Sequence, residues 1–134
     1  MSEKLEGRAR ELLEQPNLCF VGTTRKDGTV QVVPTWVDVE EGRPALNTSE
    51  GRAWPANARR DGKITLTVAD TENPYEFVTI TGTLAEDTHD GALEQADRLA
   101  KKYMGVDKYP FLQPGEQRIT FRIEPERIFH QSGG

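Results

Sequence analysis

The sequence predicts a mainly β fold with flanking helices, a closed or split β-barrel of six strands. Three observations lead there. Short runs of alternating apolar and polar residues recur along the chain: Ile64, Leu66 and Val68 alternate with Lys63, Thr65 and Thr67, which gives one buried face. Turn signals bound these runs: Asp27-Gly28 separates two of them at hairpin distance, and Asp61-Gly62 leads into another. Only two long stretches carry helical periodicity, so most of the core must come from sheet, and closing that sheet removes its exposed edges.

Taken in order, Leu5, Ala9, Leu12 and Leu13 fall at helical spacing, so Ser2 to Glu14 reads as an amphipathic helix ended by Gln15-Pro16-Asn17. Leu18 to Thr24 is the first strand. Arg25-Lys26-Asp27-Gly28 turns the chain into a second, Thr29 to Val39, in which Pro34 requires an edge position or a bulge. After Glu40-Glu41-Gly42-Arg43 comes a third strand, Pro44 to Thr48, and then a helix from Arg52 to Arg60 with Pro55 in its first turn. Lys63 to Ala69 is the fourth strand. Glu72-Asn73-Pro74 leads to the fifth, Tyr75 to Glu86, with a bulge expected at Gly82. Leu93, Ala96, Leu99, Ala100 and Tyr103 form the apolar stripe of a helix over Asp90 to Met104, which Gly105 stops. A loop from Val106 to Gln117 precedes the last strand, Arg118 to Ile123. Glu124-Pro125 breaks that strand, and Arg127 to Gln131 resumes it.

The chain has 134 residues, the size of one domain, and shows no internal repeat or linker, so residues 1–134 read as a single domain. Hydrophobic content is 35% against 29% charged, a thin core of the kind completed by a second subunit. The net charge of -5 argues against nucleic acid or an anionic membrane as partner. No apolar run approaches the ~20 residues of a membrane span, and Met1 to Arg10 lacks a signal peptide's apolar core, so a cytoplasmic location is expected. Cys19 is the only cysteine, and within Leu18-Cys19-Phe20-Val21 it reads as a small buried hydrophobe. His89 and His130 lack metal-ligand spacing, so no metal site is expected. Neither an esterase elbow nor a phosphate-binding P-loop motif occurs.

Chemistry concentrates between Ala45 and Arg60. An apolar strand runs into Thr48-Ser49-Glu50-Gly51, which is polar and suited to capping, and a helix follows. Free N–H groups at a helix start attract anions, phosphate above all. From Arg52 to Lys63 there are four cations, Arg52, Arg59, Arg60 and Lys63, against Asp61 alone. On an acidic chain this points to a small anionic ligand, or else to a solvated helix face whose arginines pair with neighbouring carboxylates. With no strong acid–base constellation in the sequence, an enzymatic role would draw its difficult chemistry from a bound cofactor.

Val32-Val33-Pro34-Thr35-Trp36, Asn47-Thr48 with Gly51-Arg52, Arg59-Arg60-Asp61 and Asn73-Pro74-Tyr75 together give the chain a family likeness. It resembles the pyridoxamine 5′-phosphate oxidase-like split-barrel flavin and deazaflavin oxidoreductases, most closely the subgroup that uses coenzyme F420, over about Leu12 to Ile128. The resemblance implies a homodimer with two cofactor sites at the subunit interface. It implies an enzyme carrying hydride between reduced deazaflavin and an unsaturated small organic molecule. It further implies that Val32, Val33, Pro34 and Asn47 line the cofactor ring, and that Thr48, Ser49 and Arg52 lie on its phosphate side. Trp54, Asn57, Arg59 and Arg60 complete the cofactor-side set, with Trp36, Tyr75 and Tyr109 walling the substrate. Two departures stand out: the family usually has lysine where this chain has Trp54, and often a polar residue at Ala56. Trp54 either stacks on a ring or packs in the core. Alternatives to the F420 reading are an FMN-dependent oxidase or reductase of the same fold, and a non-catalytic F420-binding or storage protein.

Overall fold

A computed structural model describes residues 2–133. The elements are α1 (Gly7–Glu14), β1 (Cys19–Thr24), β2 (Val30–Thr35), β3 (Val37–Glu40), β4 (Arg43–Ser49), α2 (Ala53–Asp61), β5 (Lys63–Ala69), β6 (Phe77–Thr88), α3 (Ala92–Met104) and β7 (Arg118–Gln131). All seven strands join in one antiparallel sheet, ordered β2-β1-β5-β6-β7-β4-β3. The two outermost strands, β2 and β3, are consecutive in the chain and are separated only by Trp36. A sheet whose first and last strands are joined by one residue must curl on itself. It forms a split barrel with its seam at Trp36. The predicted second strand is thus one chain segment that serves both edges, which reconciles six predicted strands with seven observed.

Pro34 sits in the outermost strand, paired with Phe20 on one side only, so its missing N–H interrupts no ladder. The alternation in β5 is as expected: Ile64, Leu66 and Val68 are buried. With Leu12 and Leu13 of α1, Trp54 of α2, and Ile119, Phe121 and Ile123 of β7, they fill the barrel. Cys19 is fully buried, and burial pushes its thiol well above the usual range.

Several boundaries differ from expectation. Helix α1 begins at Gly7, whose φ is +60°; before it the chain runs beside β7, with Glu3 N–H donating to Pro125 O at 2.9 Å. Helix α3 starts at Ala92 because Gly91 adopts φ +72°. Glu124-Pro125 does not break β7. The ladder opposite Gly82 shifts register between Arg127 and Pro125, so Glu126 is the extra residue of a bulge that absorbs the proline. Gly82 faces that bulge closely: a β-carbon there would run into Glu124 O and lie 2.8 Å from Ile123 Cγ2.

The seam is closed by α3 rather than by strand pairing. Lys102 Nζ donates to Leu13 O and to Val37 O, each at 2.6 Å. Val37 N–H donates to Tyr103 Oη at 3.2 Å, and Tyr103 Oη–H donates to Asn17 O at 2.6 Å. Both backbone groups of Val37 are thereby held by one helix end. Burial lowers the Lys102 ammonium's pKa, with Asp38 and Glu14 opposing, and burial raises that of the Tyr103 phenol. The Tyr103 ring stacks on Trp36 with centroids 5.3 Å apart and planes within 6°.

Candidate functional site

Beside the seam lies a cavity of about 320 Å³, within the size range of small-ligand sites. Leu18, Pro34, Thr35 and Trp36 form one side, and Asn47 and Arg52 come from β4 and the start of α2. Ala96 and Leu99 of α3, Tyr109 and Phe111 of the following loop, and Arg118 of β7 complete it. The aromatic residues form a chain of contacts. Trp36 meets the edge of Tyr109 at 6.2 Å, Tyr109 meets Phe111 at 5.7 Å, and the Arg118 guanidinium lies over Tyr109 at 4.6 Å. Tyr109 is pinned by its own N–H, which donates to Asp97 Oδ1 at 2.8 Å.

Five of the residues singled out from sequence meet here: Pro34, Trp36, Asn47, Arg52 and Tyr109. Strand periodicity parts the others. Thr48 opposes Ile119 and shares the core-facing side of β4 with Leu46, so it points into the barrel, where Oγ1 is buried without a partner. Ser49 is buried opposite Arg118 on the same face as Asn47. Neither hydroxyl caps α2, whose N-cap is Arg52 with no side-chain cap bond. Val33 packs against the core, while Val32 lies on the outer sheet face in a separate groove with Phe20 and Val30. Trp54 is a core residue, edge-on to Phe121 at 5.6 Å, so it packs rather than presenting a ring at the cavity. Asn57 is buried and donates to Gln31 Oε1 at 3.1 Å. Tyr75 is 77% exposed in the turn before β6 and does not line the cavity.

The basic helix face also divides. Arg59 is held between Asp87 Oδ2 at 2.7 Å and Glu50 Oε1 at 2.8 Å, and Glu50 Oε2 also meets His89 Nε2 at 2.7 Å. Hydrogen bonds from Arg59, then His89, hold the Glu50 carboxyl down at about 2. Arg59 is therefore neutralised by carboxylates, the blander of the two sequence readings. Arg60 donates to Thr24 O and to Asn57 Oδ1, at the far end of α2. Arg52 differs: it is exposed, lines the cavity, and makes no hydrogen bond or ion pair among the described residues.

Arg118 was not singled out from sequence, yet it is 8% exposed at the cavity wall. Its Nε and Nη2 donate to Asn47 Oδ1 at 2.8 and 2.6 Å, and Nη1 reaches Glu116 Oε2 at 2.6 Å. The Asn47 amide in turn donates to Ala92 O and Gln95 Oε1, each at 2.7 Å. Both amide hydrogens and both acceptor positions of Asn47 are thus occupied within the chain. Asn47 offers the cavity a fixed surface rather than a free hydrogen-bonding group. Among the described residues no His, Cys, Asp and Glu cluster suited to a metal ion occurs, and no helix is long and apolar enough to cross a membrane.

The family model described as pyridoxamine 5′-phosphate oxidase matches residues 5–132. The chain belongs to that family. Among solved structures, the pyridoxamine 5′-phosphate oxidase fold recurs in an F420 reductase, 22% identical, with a TM-score of 0.81 over 92% of this chain and 98% of that one. A conserved hypothetical protein from Mycobacterium tuberculosis is 17% identical, with a TM-score of 0.74 over 98% and 88% of the two chains. The heme storage protein HutZ from Vibrio cholerae is 15% identical, with a TM-score of 0.67 over 98% of each. At these identities the likeness establishes the split barrel alone. Among curated proteins none matches the chain.

Proposed function

We propose that the protein is an F420-dependent oxidoreductase that works as a homodimer, with FMN as the alternative cofactor. The observation that carries this reading is Arg52. It stands at the uncapped start of α2, it is unengaged within the chain among the described residues, and it borders a cavity flanked by the free edge of β2. Open helix N–H groups and an unpaired guanidinium suit a phosphate. An edge strand leaves one side of its backbone free to meet the polar rim of a ring. The residues therefore fit a phosphate-bearing flavin-type cofactor: Arg52 and the first turn of α2 would hold the phosphate, and Pro34 with its neighbours in β2 the ring. When bound, a deazaflavin supplies hydride at one ring carbon to an unsaturated acceptor. Within this chain, Trp36 offers the face on which a flat acceptor stacks, Leu18 and Phe111 add apolar surface beside it, and the wall carries the hydroxyls of Thr35 and Tyr109 as proton carriers. The named activity of the F420 reductase that shares the fold supports the choice of cofactor.

The outer face of β1 and β2 supports the dimer reading. Phe20, Val30 and Val32 are 45%, 62% and 60% exposed on adjoining strands, and Leu18, 48% exposed, immediately precedes β1; together they are too large an apolar surface to leave in water at no cost. Leu18 belongs both to this face and to the cavity wall, so a second copy seated there would border the cofactor site. Parallel titrations with F420 and FMN test the reading. Saturable quenching of F420 fluorescence with at least tenfold weaker FMN binding is expected. Binding of neither cofactor overturns it.

A further inference from the structure

Of the groups facing the cavity, Arg118 has the most unusual setting. It is a nine-tenths-buried cation whose guanidinium plane lies over Tyr109. Three of its five N–H groups are engaged, two by Asn47 Oδ1 and one by Glu116 Oε2, which leaves two without an acceptor among the described residues. Asn47 and Glu116 lock the guanidinium in place, so little rotamer freedom remains to be lost when a ligand arrives. The surrounding wall is aromatic, with Trp36 and Phe111 joined to Tyr109. A fixed guanidinium with spare donors beside flat apolar rings matches a flat conjugated molecule that carries a carboxylate.

We propose that Arg118 anchors the carboxylate of a flat, conjugated substrate stacked against Trp36, while Arg52 serves the cofactor phosphate. This inference rests on the reading of the cavity as the ligand site. It divides the two cavity arginines by task. Arg52 is exposed at the rim and free, as suits a cofactor phosphate reaching toward solvent. Arg118 is buried and partly balanced by Glu116, so it selects a single negative charge on an otherwise apolar ligand. Removing such a ligand's charge leaves the spare N–H groups of the buried Arg118 without an acceptor, a source of discrimination larger than that of apolar contact alone.

The test uses a simple pair of probes, 2-naphthoate and its neutral isostere 2-naphthamide, titrated calorimetrically into the intact protein. Naphthoate is expected to bind about tenfold or more tightly than the amide, the effect of one charge-assisted contact. Arg118→Gln should bring the two probes within about twofold of each other, with F420 affinity retained. Glu116→Gln keeps a hydrogen-bond acceptor for Arg118 but removes its counter-charge, so it should tighten naphthoate binding severalfold and leave the amide unchanged. That second variant decides the matter even where Arg118→Gln fails to fold. Equal affinity for the probes in the wild-type protein, no naphthoate binding at millimolar concentration, or no effect of Glu116→Gln overturns the proposal. Loss of F420 binding in folded Arg118→Gln also overturns it, by assigning the arginine to the cofactor. A wild-type protein that binds neither F420 nor FMN sinks the cofactor reading, yet the naphthoate comparison still decides the role of Arg118, since it needs no cofactor.

Discussion

Arg52 and Trp36 carry the sharpest residue-level expectations. Arg52 is exposed and makes no hydrogen bond or ion pair among the described residues, so its removal separates ligand binding from folding. Arg52→Ala should weaken F420 binding by about tenfold or more, given roughly 1.5–3 kcal/mol for a hydrogen bond to a charged group. Arg52→Lys should restore part of that, since lysine lacks the planar fork. The thermal midpoint should stay unchanged. The sequence also suggests a slight gain from relieving repulsion with Arg59, but Glu50 and Asp87 already neutralise Arg59, so no such gain is expected. Unaltered affinity in Arg52→Ala would move the phosphate elsewhere. Trp36→Ala should raise KM for a flat acceptor with little change in cofactor affinity. It should also lower stability modestly, as stacked aromatic pairs contribute ~0.5–1.5 kcal/mol beyond burial. Loss of both affinities in equal measure would mark Trp36 as part of the fold rather than the site. Arg52 was legible from sequence because a cation near a helix start stands out, whereas Trp36 and Tyr109 came from the family resemblance rather than from any local pattern. Arg118 was not. It begins a strand 71 residues after Asn47 in the chain, and only the pairing of β4 with β7 brings the two together. A signal was present nonetheless: Arg118 alternates with inward-pointing Ile119, which places it on the face that α3 covers.

At the scale of elements, the strands were legible because period-two patterning and glycine turns are local properties. What was not local was also not legible. Nothing in Val32 to Val39 states that its two halves pair with strands at opposite ends of a sheet. The continuity of β7 through Glu124-Pro125 was hidden for a related reason, since the bulge that accommodates the proline depends on the partner strand. Gly82 is the counterpart of that bulge. Gly82→Ala should destabilise the protein by about 1–3 kcal/mol, the usual effect of forcing an extra carbon into a filled space. Urea unfolding should show a lowered midpoint with an unchanged slope. A neutral outcome would mean that β6 and β7 separate more easily at the bulge than their ladder implies.

The whole molecule presents a filled barrel with one apolar sheet face uncovered. Its thin composition is explained if that face belongs to an interface. Light scattering should report about twice the 15.0 kDa chain mass. Val32→Asp, which alters an exposed residue of the outer face, should return the mass to that of one chain and weaken F420 binding with it. A monomeric wild-type protein that still binds F420 would show that each chain holds a complete site. The outer face was half-legible: Phe20 and Val32 fit the strand pattern, but only the curl of the sheet shows that they lie outside the barrel while Val21 and Val33 lie inside.

The joint at Trp36 has one more consequence. A ligand stacked on Trp36 presses on the same ring that Tyr103 supports, and Tyr103 accepts the hydrogen bond from Val37 N–H. Occupancy of the cavity and opening of the barrel are then linked equilibria, each of which must shift the other by the same factor. The Val37 amide becomes a built-in reporter. Its deuterium exchange should slow on saturation with a cavity ligand, while amides in the middle of β5 and β6 keep their rates. Exchange at Val37 that ignores every ligand would show that the joint and the cavity are independent.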